Sequence, residues 1–254
     1  FKKRNGLQRV KFSGEANSAP IETLPEERVR LRALLAKYDK EDIYNADETG
    51  LFFRMEPNQT LSTGAVAGRK MDKSRVSVLF CANATGSHKI RPLVIGKSLN
   101  PRCFKNLNKS TLPVIYRANS KAWMRSDIFI EWLKHLDYYF RTMDRRLVYL
   151  PPNTTAHLQP MDAGIIHSFK AKYKQEFCRH LIRQFDSGVD HVKNKLNIKE
   201  AIDYIAESWN NVTPTTIQNC WIKTETADVL EYFQLLDREI PTEEHLTEEQ
   251  IIDM

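Results

Sequence analysis

Residues 42–53 read Asp-Ile-Tyr-Asn-Ala-Asp-Glu-Thr-Gly-Leu-Phe-Phe, and no other stretch restricts the fold as much. Ile43, Tyr44 and the Leu51–Phe53 run suit a strand packed into a core, yet its centre carries two adjacent carboxylates, Asp47 and Glu48. A sheet that includes this strand must accommodate charge near its interior, where an uncompensated carboxylate is costly. Two arrangements meet that demand. In one, a divalent cation is held by carboxylate oxygens and offsets their desolvation. In the other, one carboxylate faces solvent and the other caps the turn at Thr49-Gly50. Strand alternation sends Asp47 and Glu48 to opposite faces in either case.

The surrounding pattern is that of a mixed α/β domain. Val76–Asn83, Ile90–Gly96 and Val114–Arg117 read as strands, and the short link between the first two predicts an antiparallel hairpin. A helix is expected over Glu26–Tyr38. A second, Ser126 to about Met143, has Ser126 as N-cap and Phe129, Trp132, Leu133, Leu136, Phe140 and Met143 as its inward stripe. Leu147–Leu150 follows as a short strand stopped by Pro151-Pro152. A long helix then opens near Asp162, with Ile166, Phe169, Tyr173 and Phe177 on its buried face. Asn197 and Glu200 have capping-box spacing for a further helix, and Thr213-Pro214 opens a short successor.

Charge adds information about partners. The 254 residues carry a net +6, but residues 225–254 hold ten Asp/Glu against one Arg, which leaves +15 on residues 1–224. A basic body with an acidic tail suits an anionic polymer as partner, or simply a soluble surface. The candidate phosphate contacts are Arg69, Lys70 and Lys73 in the Gly-rich link after the first strand, and Lys170 and Lys174 on the long helix. No apolar run approaches ~18 residues and Phe1-Lys2-Lys3-Arg4 has no apolar signal region, so neither a membrane span nor secretion is expected. The four cysteines are widely spaced, without the paired motif of a zinc site or a disulfide framework.

Several stretches together resemble the DDE superfamily transposases of the pogo and Tigger branch, which includes the Jerky and centromere protein B relatives. They are Tyr44-Asn-Ala-Asp-Glu-Thr-Gly-Leu-Phe52, Leu79-Phe-Cys-Ala-Asn-Ala-Thr-Gly86, Leu93-Val-Ile-Gly-Lys-Ser98, Ala122-Trp-Met124, Leu150-Pro-Pro-Asn-Thr-Thr155 and Leu158-Gln-Pro-Met-Asp-Ala-Gly164, in family order. The resemblance implies a ribonuclease H-like mixed sheet flanked by helices. It also implies three acidic residues that hold Mg²⁺ or Mn²⁺ ions for attack on a DNA phosphodiester, with Asp47 as the first acid and Asp162 as the third. A DNA partner and a nuclear location follow from the same resemblance. Without it, Asp162 reads first as a helix N-cap after Pro160.

One element of the family pattern is absent. The second acid belongs to an Asp-Asn-Ala motif at the end of a central strand, but here the text runs from Arg141-Thr-Met-Asp-Arg-Arg146 directly to Leu147-Val-Tyr-Leu150. A segment near 146/147 therefore looks excised, and Asp144 is a poor substitute at the end of a helix. The expected organisation is a basic remnant of a helix-turn-helix region with its linker at 1–24, a DDE-type domain at 25–222 lacking one central strand, and an acidic helix and tail at 223–254. Leu147–Leu150 is expected to take the vacant place beside the Asp47 strand. Three functions remain open on this basis: a catalytically impaired nucleic-acid-binding domain, a working DNA endonuclease whose missing segment is a gene-model error, and a protein-interaction scaffold.

Overall fold

The computed structural model describes residues 24–56, 72–142, 159–188 and 194–224. Helix α1 (Leu24–Leu35) leads into strand β1 (Tyr44–Phe52), which pairs along its whole length with antiparallel β2 (Arg75–Asn83), from Tyr44↔Asn83 to Phe52↔Arg75. β2 pairs with antiparallel β3 (Leu93–Gly96), and β3 with parallel β4 (Ile115–Ala118). The sheet order is β1-β2-β3-β4, with β1 outermost among the described strands. Helices α2 (Ser126–Arg141), α3 (Ile166–Asp186) and α4 (Ile198–Asn210) follow, and residues 214–224 form a last described helix.

β2 is central and buried on both faces, so its sequence runs apolar without alternation. Val76, Val78, Phe80 and Ala82 face one core, shared with Leu51 and Phe53, α3, α4 and the 214–224 helix. Phe80 is its hub, with ring centroids 4.3 Å from Phe169 and 4.5 Å from Trp209. Leu79 and Cys81 face a smaller core on the other side, closed by Ile128, Trp132, Leu136 and Phe140 of α2. A mixed sheet with helices on both faces is the layered α/β architecture expected from the sequence. No described helix is long and apolar enough to cross a membrane.

Several local expectations shift. α1 stops at Leu35, so Tyr38 is 44% exposed beyond the helix instead of inside its apolar face. β3 starts at Leu93, and upstream only Lys89 bridges to Ala82. In α2 the capping position is Arg125, and Ser126 is the first helical residue without a capping role. The buried stripe of α2 is Ile128, Trp132, Leu136 and Phe140, a strict four-residue spacing that leaves Phe129 36% exposed. The Asn197–Glu200 capping box forms as read. Lys89 then fixes the other end of α4, because its Nζ donates to the carbonyls of Trp209 (2.9 Å), Asn210 (2.7 Å) and Val212 (2.8 Å), where a cation also complements the helix dipole. The Leu147–Leu150 strand, Met143, Asp144, Arg69, Lys70 and the two terminal segments lie outside the described residues.

Candidate functional site

Asp47 lies in the middle of β1, opposite Phe80 and on the face covered by α3 and α4, whereas Glu48 pairs with Leu79 on the α2 face. Parity thus separates the two neighbours, and the backbone N–H of Glu48 donates to Asp47 Oδ1 at 2.7 Å. Asp162 comes from a π-helical turn, Met161–Ile165, that opens α3. Pro160 occupies the cap position there and no side chain caps the turn, so Asp162 is not an N-cap.

Two polar side chains fasten this turn to β1. Asn45, almost fully buried, accepts the Met161 N–H at 3.0 Å, and Gln159 Nε2 donates to the Ala46 carbonyl at 3.1 Å. Met161 and Ile165 are wholly buried beneath the turn. Gly164 permits a tight approach to the 214–224 helix, since a Cβ there would sit 3.0 Å from Cys220 Sγ. Sequence reading picked out Asp162 but not Asn45 or Gln159, although both lie within three residues of a carboxylate in matched motifs.

The result is a carboxyl pair. Asp47 and Asp162 lie close enough to interact side chain to side chain and through their charges. Burial, reinforced by the charge of Asp162, pushes the Asp47 carboxyl up to about 7. Lys170, two turns along α3 from Asp162, interacts electrostatically with both acids, while partial burial holds its ammonium below the usual lysine range. Of the other basic residues proposed from sequence, Lys174 is exposed one turn beyond Lys170, and Lys73 is exposed just ahead of β2.

The donor set suits a hard divalent cation. Two carboxylates that disfavour joint ionisation lose that penalty when a cation lies between them. Among the described residues no group of three or more His, Cys, Asp or Glu side chains could hold a metal ion. Magnesium does not require such a group, because it usually keeps several waters and takes one or two carboxylates together with substrate phosphates.

Fold and site together define a mixed α/β domain whose sheet presents a close carboxyl pair beside a lysine. The sequence profile described as DDE superfamily endonuclease matches residues 73–147 and 141–221, and the chain belongs to that family. Within it, the chain groups with Jerky, Tigger and CENP-B relatives. It is 34% identical over 249 residues to the human Jerky protein homolog, covering 88% of this chain and 44% of that protein. CENP-B homolog protein 2 of Schizosaccharomyces pombe is 31% identical over 88% of this chain and 49% of its own length. Tigger transposable element-derived protein 4 of Mus musculus is 34% identical over 72% of this chain and 39% of its own. The chain therefore spans under half the length of these relatives.

Proposed function

We propose that this transposase-derived domain binds DNA and that Asp47 and Asp162 are the surviving ligands of a Mg²⁺ or Mn²⁺ site, impaired for strand cleavage by loss of the second acid. The observation that carries the reading is the carboxyl pair, assembled from β1 and the start of α3 with Lys170 within electrostatic reach. A bound cation would supply a Lewis acid for a phosphodiester oxygen. The protein's own share is to hold the two carboxyls together through Asn45 and Gln159, and to offer Lys170 and Lys174 to neighbouring phosphates. Impairment is supported by the profile match, which comes in two pieces that meet at 141–147, the stretch where the Asp-Asn-Ala motif is missing. DNA as ligand makes the nucleus the expected location.

Two measurements on the 254-residue chain test this reading. DNA affinity is expected to fall steeply with salt, and K170A to reduce the salt slope by about 0.9 for one lost phosphate contact. With Mn²⁺ and excess protein, supercoiled DNA is expected to remain uncut. Metal-dependent nicking that D47N abolishes would identify a working endonuclease instead, and no DNA affinity even at low salt would leave only the interaction scaffold.

A further inference from the structure

Of the four tryptophans, Trp132, Trp209 and Trp221 are 6%, 1% and 8% exposed, but Trp123 is 53% exposed. Its backbone is fixed on every side. The Asn119 amide oxygen accepts from the N–H groups of Lys121 and Trp123, both at 3.2 Å, and Asn119 Nδ2 donates to the Trp123 carbonyl at 2.6 Å. Ala122, fully buried, adopts φ 53°, a left-handed conformation that disfavours any residue with a Cβ. A strained loop, pinned by the Asn119 side chain, therefore holds a large apolar ring out in solvent.

Two cations border that ring. Arg75 Cζ lies 5.8 Å and Lys121 Nζ 5.7 Å from its centroid, near the outer limit for a cation–π contact, and half of the residue stays open. Neither cation has a carboxylate partner among the described residues, and Arg75 Nε has no hydrogen-bond partner. Arg75 reaches Trp123 across Gly50, where a Cβ would stand 2.7 Å from Arg75 Nε, so the glycine of the Asp47-Glu-Thr-Gly50 motif clears the path.

We infer that Trp123, with Arg75 and Lys121, is a stacking platform for an unpaired nucleobase on the sheet face opposite the carboxyl pair. This rests on the DNA-binding reading above and names the form of DNA involved. Gly50 is three residues along β1 from Asp47, a distance of about 10 Å, but on the opposite face, as the pairings Gly50↔Ser77 and Asp47↔Phe80 show. A nucleic acid that touches both faces must turn sharply around the sheet. A duplex is too stiff to turn so sharply, with a persistence length of about 150 base pairs. A single strand makes the turn freely, and an indole flanked by cations accepts any base, the rings stacking while the cations meet the phosphates.

The test titrates the full 254-residue chain with an oligothymidylate of about 15 nucleotides, and separately with a mixed-sequence duplex of the same length. Because Trp123 is the one exposed tryptophan, the single strand is expected to quench intrinsic fluorescence, and W123F to remove that quench while keeping most of the affinity. W123A is expected to weaken single-strand binding by about 5- to 100-fold and to leave duplex binding and thermal unfolding unchanged. If W123A binds the single strand as tightly as the parent while duplex binding persists, the platform is refuted and the DNA reading stands. If neither probe binds at low salt, both fall.

Discussion

The sharpest test of the carboxyl pair is the stability of D47N without metal. Burial and the neighbouring Asp162 raise the Asp47 carboxyl from its ordinary 3.8 to about 7, so between these values the folded chain keeps a proton that the unfolded chain has released. Stability therefore falls as pH rises through that window, and the whole penalty is present above pH 7. The gap corresponds to about 4 kcal/mol at most. Partial exposure of the carboxyl lets solvent screen the effect, which reduces it to about 2 kcal/mol. Asparagine never ionises and its Oδ1 can still accept the Glu48 N–H. D47N is thus expected to be more stable than the parent by about 2 kcal/mol at pH 8, or about 4–8 °C in Tm for a domain of this size. The advantage should shrink toward zero near pH 4. The assay is thermal unfolding followed by circular dichroism in EDTA across that range. Mn²⁺ at ten times its Kd should then stabilise the parent by about 1.4 kcal/mol and leave D47N unchanged. A D47N protein no more stable than the parent at pH 8 would show that the two carboxyls are not held together against their charge, and the proposed metal site would lose its basis.

Two structural predictions accompany it. Lys89→Met keeps the aliphatic stem but removes the donor to three carbonyls at the end of α4, and urea unfolding should show a loss of about 1.5–3 kcal/mol. Asn197→Ala removes the side chain that accepts the Lys199 and Glu200 N–H groups, and the same assay should register about 1 kcal/mol.

How much of this was legible in sequence varied with the physics involved. Asp47 and Asp162 stood out because a charged residue in an apolar strand, or after Leu-Gln-Pro-Met, is conspicuous and sits in a family motif. That they meet followed from the family resemblance alone; how they are held did not, because it depends on Asn45 and Gln159, ordinary amides whose value appears only once the π-helical turn docks on β1. The Phe129 stripe was misplaced by one position, since Phe129 and Ile128 are both apolar and only the angle of α2 on the sheet decides which goes in. Trp123 was read as part of a motif and nothing more. Its outward display comes from the positive φ of Ala122 and the Asn119 clamp, neither of which an Asn or Ala announces in sequence.

The sheet order has a consequence for folding kinetics. β1 to β4 pair strictly with their neighbours in sequence, so the sheet can assemble from contacts close along the chain. The carboxyl pair cannot, because its fastenings join residues 113 and 116 positions apart. The carboxyl pair therefore closes only after distant parts of the chain have met. Closure entropy grows only logarithmically with length, so adding or removing about 20 residues between α2 and the π-helical turn changes it by only ~0.2 kcal/mol. A chain edited in that interval can still bring Asp162 to Asp47.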